Sequence, residues 1–142
     1  MTYSFQNPTD LLIREYLLNA KTIAIVGLSD RQDTAAYRVA NYLKNASYTI
    51  IPVNPKLAGL EILGEKAYAR LQEIPVHIDI VDVFRRSDYL PDVAKDFLDT
   101  DAKIFWAQLG LESQEAEKIL READRNHIVM NRCIKIDHAE LL

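Results

Sequence analysis

Glycine is scarce in this chain: there are four in 142 residues, where average usage would place about ten. Each one therefore marks a backbone requirement. Cysteine is scarcer still. Cys133 stands alone, which excludes an internal disulfide framework and leads us to expect a reducing, cytoplasmic setting. No apolar run approaches the roughly 20 residues of a membrane span. The opening MTYSFQNPTD has neither the basic nor the apolar region of a secretory signal. Positive charge is in deficit, with a formal net charge of −4, which argues against general binding to nucleic acid or to an anionic membrane. Metal-ligand spacing is missing too, because His77, His127 and His138 stand apart from one another and from Cys133. What is present is ordinary: 49% apolar and 27% charged residues suit one globular domain over residues 1–142.

Short β-branched runs alternate with amphipathic stretches. The first run, TIAIV over 22–26, stops at Gly27-Leu28-Ser29. Before it, a helix is predicted over about 8–20, with Asn7 as cap and Pro8 at its first position. After it, Ala36, Val39, Ala40 and Leu43 recur at i, i+3, i+4, i+7, one face of a helix. Tyr48–Val53 is the second strand, so strand, helix and strand form a right-handed βαβ unit. Residues 57–70 fit a small hairpin between Gly59 and Gly64, then a short helix toward Leu71. Further strands are predicted over 78–84, 103–107 and 127–130. Between them lie the stripes Leu90, Val93, Ala94, Phe97 and Ala116, Ile119, Leu120, Ala123, the latter capped by Ser113. An apolar stretch over 134–136 precedes a terminal turn or helix after Asp137. The fold class is α/β, a Rossmann-like doubly wound, mainly parallel five-stranded sheet flanked by helices. The expected strand order is 3-2-1-4-5.

In such sheets ligands bind beyond the carboxyl ends of the strands. Those ends hold Gly27, Ser29 and Arg31; Asn54, Pro55 and Lys56; Arg85 and Arg86; Gln108 and Gly110; and Asn131, Arg132 and Cys133. Four of the five carry Lys or Arg although the chain is acidic, which favours a polyanionic ligand. The dinucleotide fingerprint G-x-G-x-x-G is missing after the first strand. No carboxylate stands at the end of the second to grip an NAD ribose. Lys56 there suits a ribose phosphate, as in NADP or coenzyme A.

The segments IAIVGLSD, YRVANYL, YTIIPVNPK, EILGEKAYARL, IPVHIDIVDVFRR, KIFWAQLG and IVMNRCIKIDH run from Ile23 to His138. In that order they resemble the small single-domain CoA-binding protein family, similar to the CoA-binding domain of the succinyl-CoA synthetase α subunit. The resemblance implies a Rossmann-type fold with coenzyme A, or an acyl-CoA, as ligand. It implies that Gly27, Leu28 and Ser29 lie under the CoA phosphates. Asn54, Pro55 and Lys56 would wall the adenosine side, while Val83, Phe84 and Arg85 line the cleft. Family members usually carry an Arg and then a Ser in the loop-to-helix segment, where this chain has Thr34 and Ala36. In the synthetase a separate ligase domain supplies the phosphorylated histidine.

No nucleophile–base pair is legible. Asp79 and Asp82, at i, i+3 within an apolar strand, face opposite sides and form no acid/base dyad; hydrogen bonding to neighbouring loops is expected of both. The three histidines are read as structural or surface groups, and Cys133 as a buried free thiol, with a redox role beside Arg132 as the alternative. The sequence thus points to binding of CoA or acyl-CoA without catalysis of its own, with no protein partner specified. An NADP-dependent oxidoreductase, or an interaction module that has lost its nucleotide, are the alternatives.

Overall fold

The computed structural model describes residues 2–142. Five helices are α1 (Asp10–Asn19), α2 (Ala35–Asn45), α3 (Leu90–Leu98), α4 (Gln114–Glu122) and α5 (Ile134–Leu141). Seven strands are β1 (Thr22–Val26), β2 (Thr49–Val53), β3 (Glu61–Ile62), β4 (Glu65–Lys66), β5 (Ile80–Val83), β6 (Ile104–Ala107) and β7 (Ile128–Val129). β3 and β4 pair as the small antiparallel hairpin expected between the glycines. The other five form one parallel sheet in the order β2-β1-β5-β6-β7.

Side chains alternate across that sheet with period two and so build two cores. Ala24, Val26, Val81, Val83, Phe105 and Ala107 meet the stripes of α3 and α4, including Val93, Phe97 and Leu120. Ile23, Ile25, Ile80, Ile104 and Trp106 meet α1, α2 and α5 through residues such as Ile13, Leu17, Val39, Leu43 and Ile134. A sheet covered on both faces explains why its strands read as continuous apolar runs.

The strand order is a correction. Of the five main strands, the first lies between the second and third, giving 2-1-3-4-5 rather than 3-2-1-4-5. The third strand, β5, pairs with β1 from Ile23 opposite Ile80 to Val26 opposite Val83. It has no room outside β2, because Tyr68 occupies that edge: its N–H donates to the Pro52 carbonyl at 3.0 Å, and its own carbonyl accepts from Asn54 N–H at 2.9 Å. Pro52 sits in the middle of β2, and proline is tolerated there because β2 is an edge strand.

Two helix starts also differ from expectation. Thr9, not Asn7, caps α1, its hydroxyl accepting from Leu12 N–H at 3.2 Å. The Asn7 amide instead donates to the Met130 carbonyl at 2.8 Å and accepts its N–H at 3.0 Å, pinning the N-terminal segment to the end of β7. α5 starts at Ile134, not beyond Asp137, because the Gln108 side chain accepts the Ile134 N–H at 3.1 Å from the end of β6. At α2, Thr34 is the cap, accepting from Tyr37 N–H at 3.3 Å. The segment before β5 forms a single 3-10 turn over Leu71–Glu73.

Candidate functional site

The direction in which the sheet is wound reverses between β1 and β5. β2 lies to one side of β1, and the chain then crosses to the other side for β5. Just beyond the carboxyl ends of these three strands is a cleft of about 630 Å³, within the ordinary range for small-molecule sites. It is lined by Val26 and Gly27 after β1, Val53 to Lys56 after β2, and Phe84, Arg85 and Arg86 after β5. Ala69, Arg70 and Leu71 close one wall and Tyr89, Val93 and Asp96 another.

Gly27 has φ +90°, and a Cβ there would stand 2.5 Å from the Phe84 carbonyl oxygen. Only glycine lets the ends of β1 and β5 approach this closely. Its N–H is already committed to the Val53 carbonyl at 2.8 Å. Asn54 ties the loops together: its amide donates to the Leu28 carbonyl at 3.1 Å, and its oxygen accepts the Lys56 N–H at 3.0 Å. That second bond caps the 3-10 turn Pro55–Leu57, on which Lys56 is exposed.

Two guanidinium groups converge on Tyr89. Arg85 stacks 4.1 Å from the ring centroid and Arg86 lies 5.3 Å from it. Arg86 also donates to the Tyr89 hydroxyl at 3.3 Å. Stacking of this kind holds an arginine in place while leaving its edge free to donate. Arg70, from one wall, pairs with Asp96 of the other at 2.7 Å. Lys56, Arg70, Arg85 and Arg86 thus face one cleft with a single carboxylate among them. Such a lining is chemically suited to an anionic group.

Of the residues singled out in the sequence, Gly27, Asn54, Pro55, Lys56, Phe84 and Arg85 line this cleft together. Leu28 and Val83 are fully buried in the two cores; only the Leu28 backbone takes part, through Asn54. The Ser29 hydroxyl accepts the Arg31 N–H at 3.0 Å and shapes the loop. Arg31 itself pairs with Asp33 on the surface at 3.0 Å. Gln108 is buried against α5 and Gly110, φ +87°, donates its N–H to the Asn131 side chain at 2.7 Å, both away from the cleft. Sequence reasoning missed Arg70, Tyr89 and Asp96. Tyr89 had a signal, lying four and three residues after two arginines in a turn.

The other titratable groups belong to the scaffold. Asp79 accepts N–H groups from Lys21 and Thr22 at 2.8 and 3.0 Å, the hydrogen bonding expected of it. Asp82 is the exception: fully buried, it has no partner for either oxygen. His77 bridges Asp79 and Asp101, Tyr16 bonds His127, and Tyr42 bonds His138. Cys133 is half-buried; Arg132 beside it is committed to Asp137 at 2.8 Å and Asp10 at 3.0 Å. Among the described residues no group of three or more acidic, histidine or cysteine side chains is placed to hold a metal.

A parallel sheet wound on both faces, with a cation-walled cleft at its switch point, defines a Rossmann-like α/β protein. The chain belongs to the CoA-binding domain family, whose profile matches residues 21–139. It is 51% identical over 134 residues to the uncharacterized protein YneT of Bacillus subtilis, covering 94% of this chain and 97% of that one. It is 28% identical over 123 residues to the alpha subunit of an ADP-forming acetate–CoA ligase of Pyrococcus furiosus, and there spans 27% of the relative's length. Among solved structures, protein ID.343 of Thermus thermophilus superposes with a TM-score of 0.90 at 36% identity, over 95% of this chain and all of that one.

Proposed function

We propose that this chain is a cytoplasmic module that binds coenzyme A or an acyl-CoA in the switch-point cleft and performs no chemistry on it. One observation carries the reading. An acidic protein gathers Lys56, Arg70, Arg85 and Arg86 around a single cleft at the ends of β1, β2 and β5. The diphosphate and ribose phosphate of CoA call for several cations. Asn54, Pro55 and Lys56 would wall the adenosine side and its phosphate. Phe84 offers an apolar surface beside them, and Arg85 and Arg86, held by Tyr89, would take the diphosphate. Membership of the CoA-binding domain family supports the same ligand.

Titration calorimetry of the full chain with CoA, dephospho-CoA and NADPH tests it. CoA should bind, dephospho-CoA should bind at least about tenfold more weakly through loss of a charge-assisted contact at Lys56, and NADPH should give no heat. No heat with CoA on folded protein would overturn the reading. Binding of NADPH tighter than CoA would hand the cleft to a nicotinamide cofactor instead.

A further inference from the structure

One of the cations on the cleft differs from the others. Among the described residues Lys56, Arg85 and Arg86 enter no ion pair, whereas Arg70 is matched by Asp96 at 2.7 Å. Arg70 comes from one wall and Asp96 from the other, so their pair closes the cleft at that end. Tyr89, just before α3, and Val93 and Asp96 within it are spaced i, i+4, i+7 on one face. They span about 10 Å of helix. At the Tyr89 end stand Arg85 and Arg86, their charges unmatched. Midway, Val93 shares one buried core with Val26, Val53 and Leu71, which also line the cleft. At the Asp96 end charge is balanced.

We infer that this closed end reads the base of the nucleotide and selects adenine. The inference rests on the CoA reading above and names the residues that recognise the ligand's base. Along the cleft the lining runs from cations through apolar side chains to a balanced polar pair. A nucleotide runs in the same order, from phosphates through sugar to a flat base with a polar edge. A cleft closed at one end takes an end of its ligand. CoA has two ends, and its thiol is only a weak donor that would leave the pair's edge unmatched. The pair offers an acceptor beside donors. Asp96 accepts from Arg70 at 2.7 Å and Gln72 at 2.8 Å, both on Oδ1, so Oδ2 has no partner among the described residues. Arg70 commits one N–H group of its fork there and keeps others. Adenine presents its N6 amino donor beside the N7 acceptor, complementary to Asp96 Oδ2 beside Arg70. Hypoxanthine carries a carbonyl oxygen in place of that amino group, which sets lone pair against lone pair at Asp96.

The test is calorimetry of the full chain with CoA and with deamino-CoA, in which hypoxanthine replaces adenine, repeated on Asp96→Ala. Alanine is the best helix former, so the variant should keep α3. CoA should bind wild type at least about tenfold tighter than the analogue, the worth of a hydrogen bond to a charged group. In Asp96→Ala the two should bind within about threefold of each other, and the analogue should bind tighter than it does to wild type. Equal affinity of wild type for the two ligands would overturn the inference while leaving CoA binding intact, and that comparison needs no variant. A variant that weakens both ligands alike, with their ratio unchanged, would reduce Asp96 to a clamp between the walls and also overturn it. Absence of CoA binding by wild type would strike the parent reading and this one with it.

Discussion

Asp82 sits at the centre of β5 between Ile25 of β1 and Trp106 of β6, with both carboxyl oxygens buried and unpartnered. Burial pushes this carboxyl well above the usual carboxylate range, because the low-dielectric core disfavours the charged form. The folded state therefore binds the Asp82 proton more tightly than the unfolded chain does. Its contribution to stability is greatest below the unfolded pKa near 4 and declines as pH rises toward the folded pKa. Asp82→Asn, which cannot ionise, should gain on the wild type by up to about 1.4 kcal/mol for each pH unit across that range. Urea unfolding of both proteins at pH 5 and pH 7 checks this; a stability difference that is the same at the two values would contradict it. The sequence showed two aspartates in an apolar strand and their opposite facing, but not their fates. Asp79 lies just before β5, within reach of the Lys21 and Thr22 N–H groups. Asp82 lies three residues further in, where neighbouring strands already use the backbone donors. Position along the strand decided the difference, and a linear pattern does not reveal which loops come near.

At the scale of elements, the turn after β1 is a packing device as much as a binding loop. Gly27 lets β1 run against the Phe84 carbonyl, and the same contact fixes where Phe84 and Arg85 enter the cleft. Gly27→Ala should lower stability by about 2 kcal/mol or more, from the positive φ and the backbone clash together. It should also weaken CoA binding, because the β5 loop must move. Thermal unfolding and a CoA titration of the variant test the two effects; a variant as stable as wild type would contradict the account of this turn. The helix stripes of α2 and α3 were legible residue by residue, because an amphipathic face declares itself locally. Strand order was less so. Its one local sign was Pro52, which marks β2 as an edge. The rest depended on Tyr68 covering that edge through backbone hydrogen bonds, which no side-chain pattern announces. The early start of α5 likewise depended on Gln108, a residue 26 positions away.

Across the whole molecule, charge is distributed against the net balance. A chain of formal charge −4 concentrates four cations on one cleft, while His77 pairs with both Asp79 and Asp101 at the amino ends of the strands. The strand ends were legible as a cationic edge because parallel α/β topology sends every loop that follows a strand to the same side. Which loops converge was not. The reversal between β1 and β5 draws the ends of β1, β2 and β5 together and leaves Gly110 and Arg31 outside. Arg70 joins from a segment whose pattern carried no ligand signal, and Tyr89 from the turn that follows Arg85 and Arg86. The central claim is that this convergence binds CoA, and the double variant Lys56→Ala with Arg85→Ala tests it most directly. The measurement is the dissociation constant for CoA, taken on protein whose melting temperature is recorded alongside. Loss of two charge-assisted contacts should weaken CoA at least about tenfold with the melting temperature within about two degrees of wild type, since Lys56 is exposed and Arg85 is only half-buried, outside both cores. Unchanged affinity for CoA, or a variant that melts far below the wild type, would contradict it.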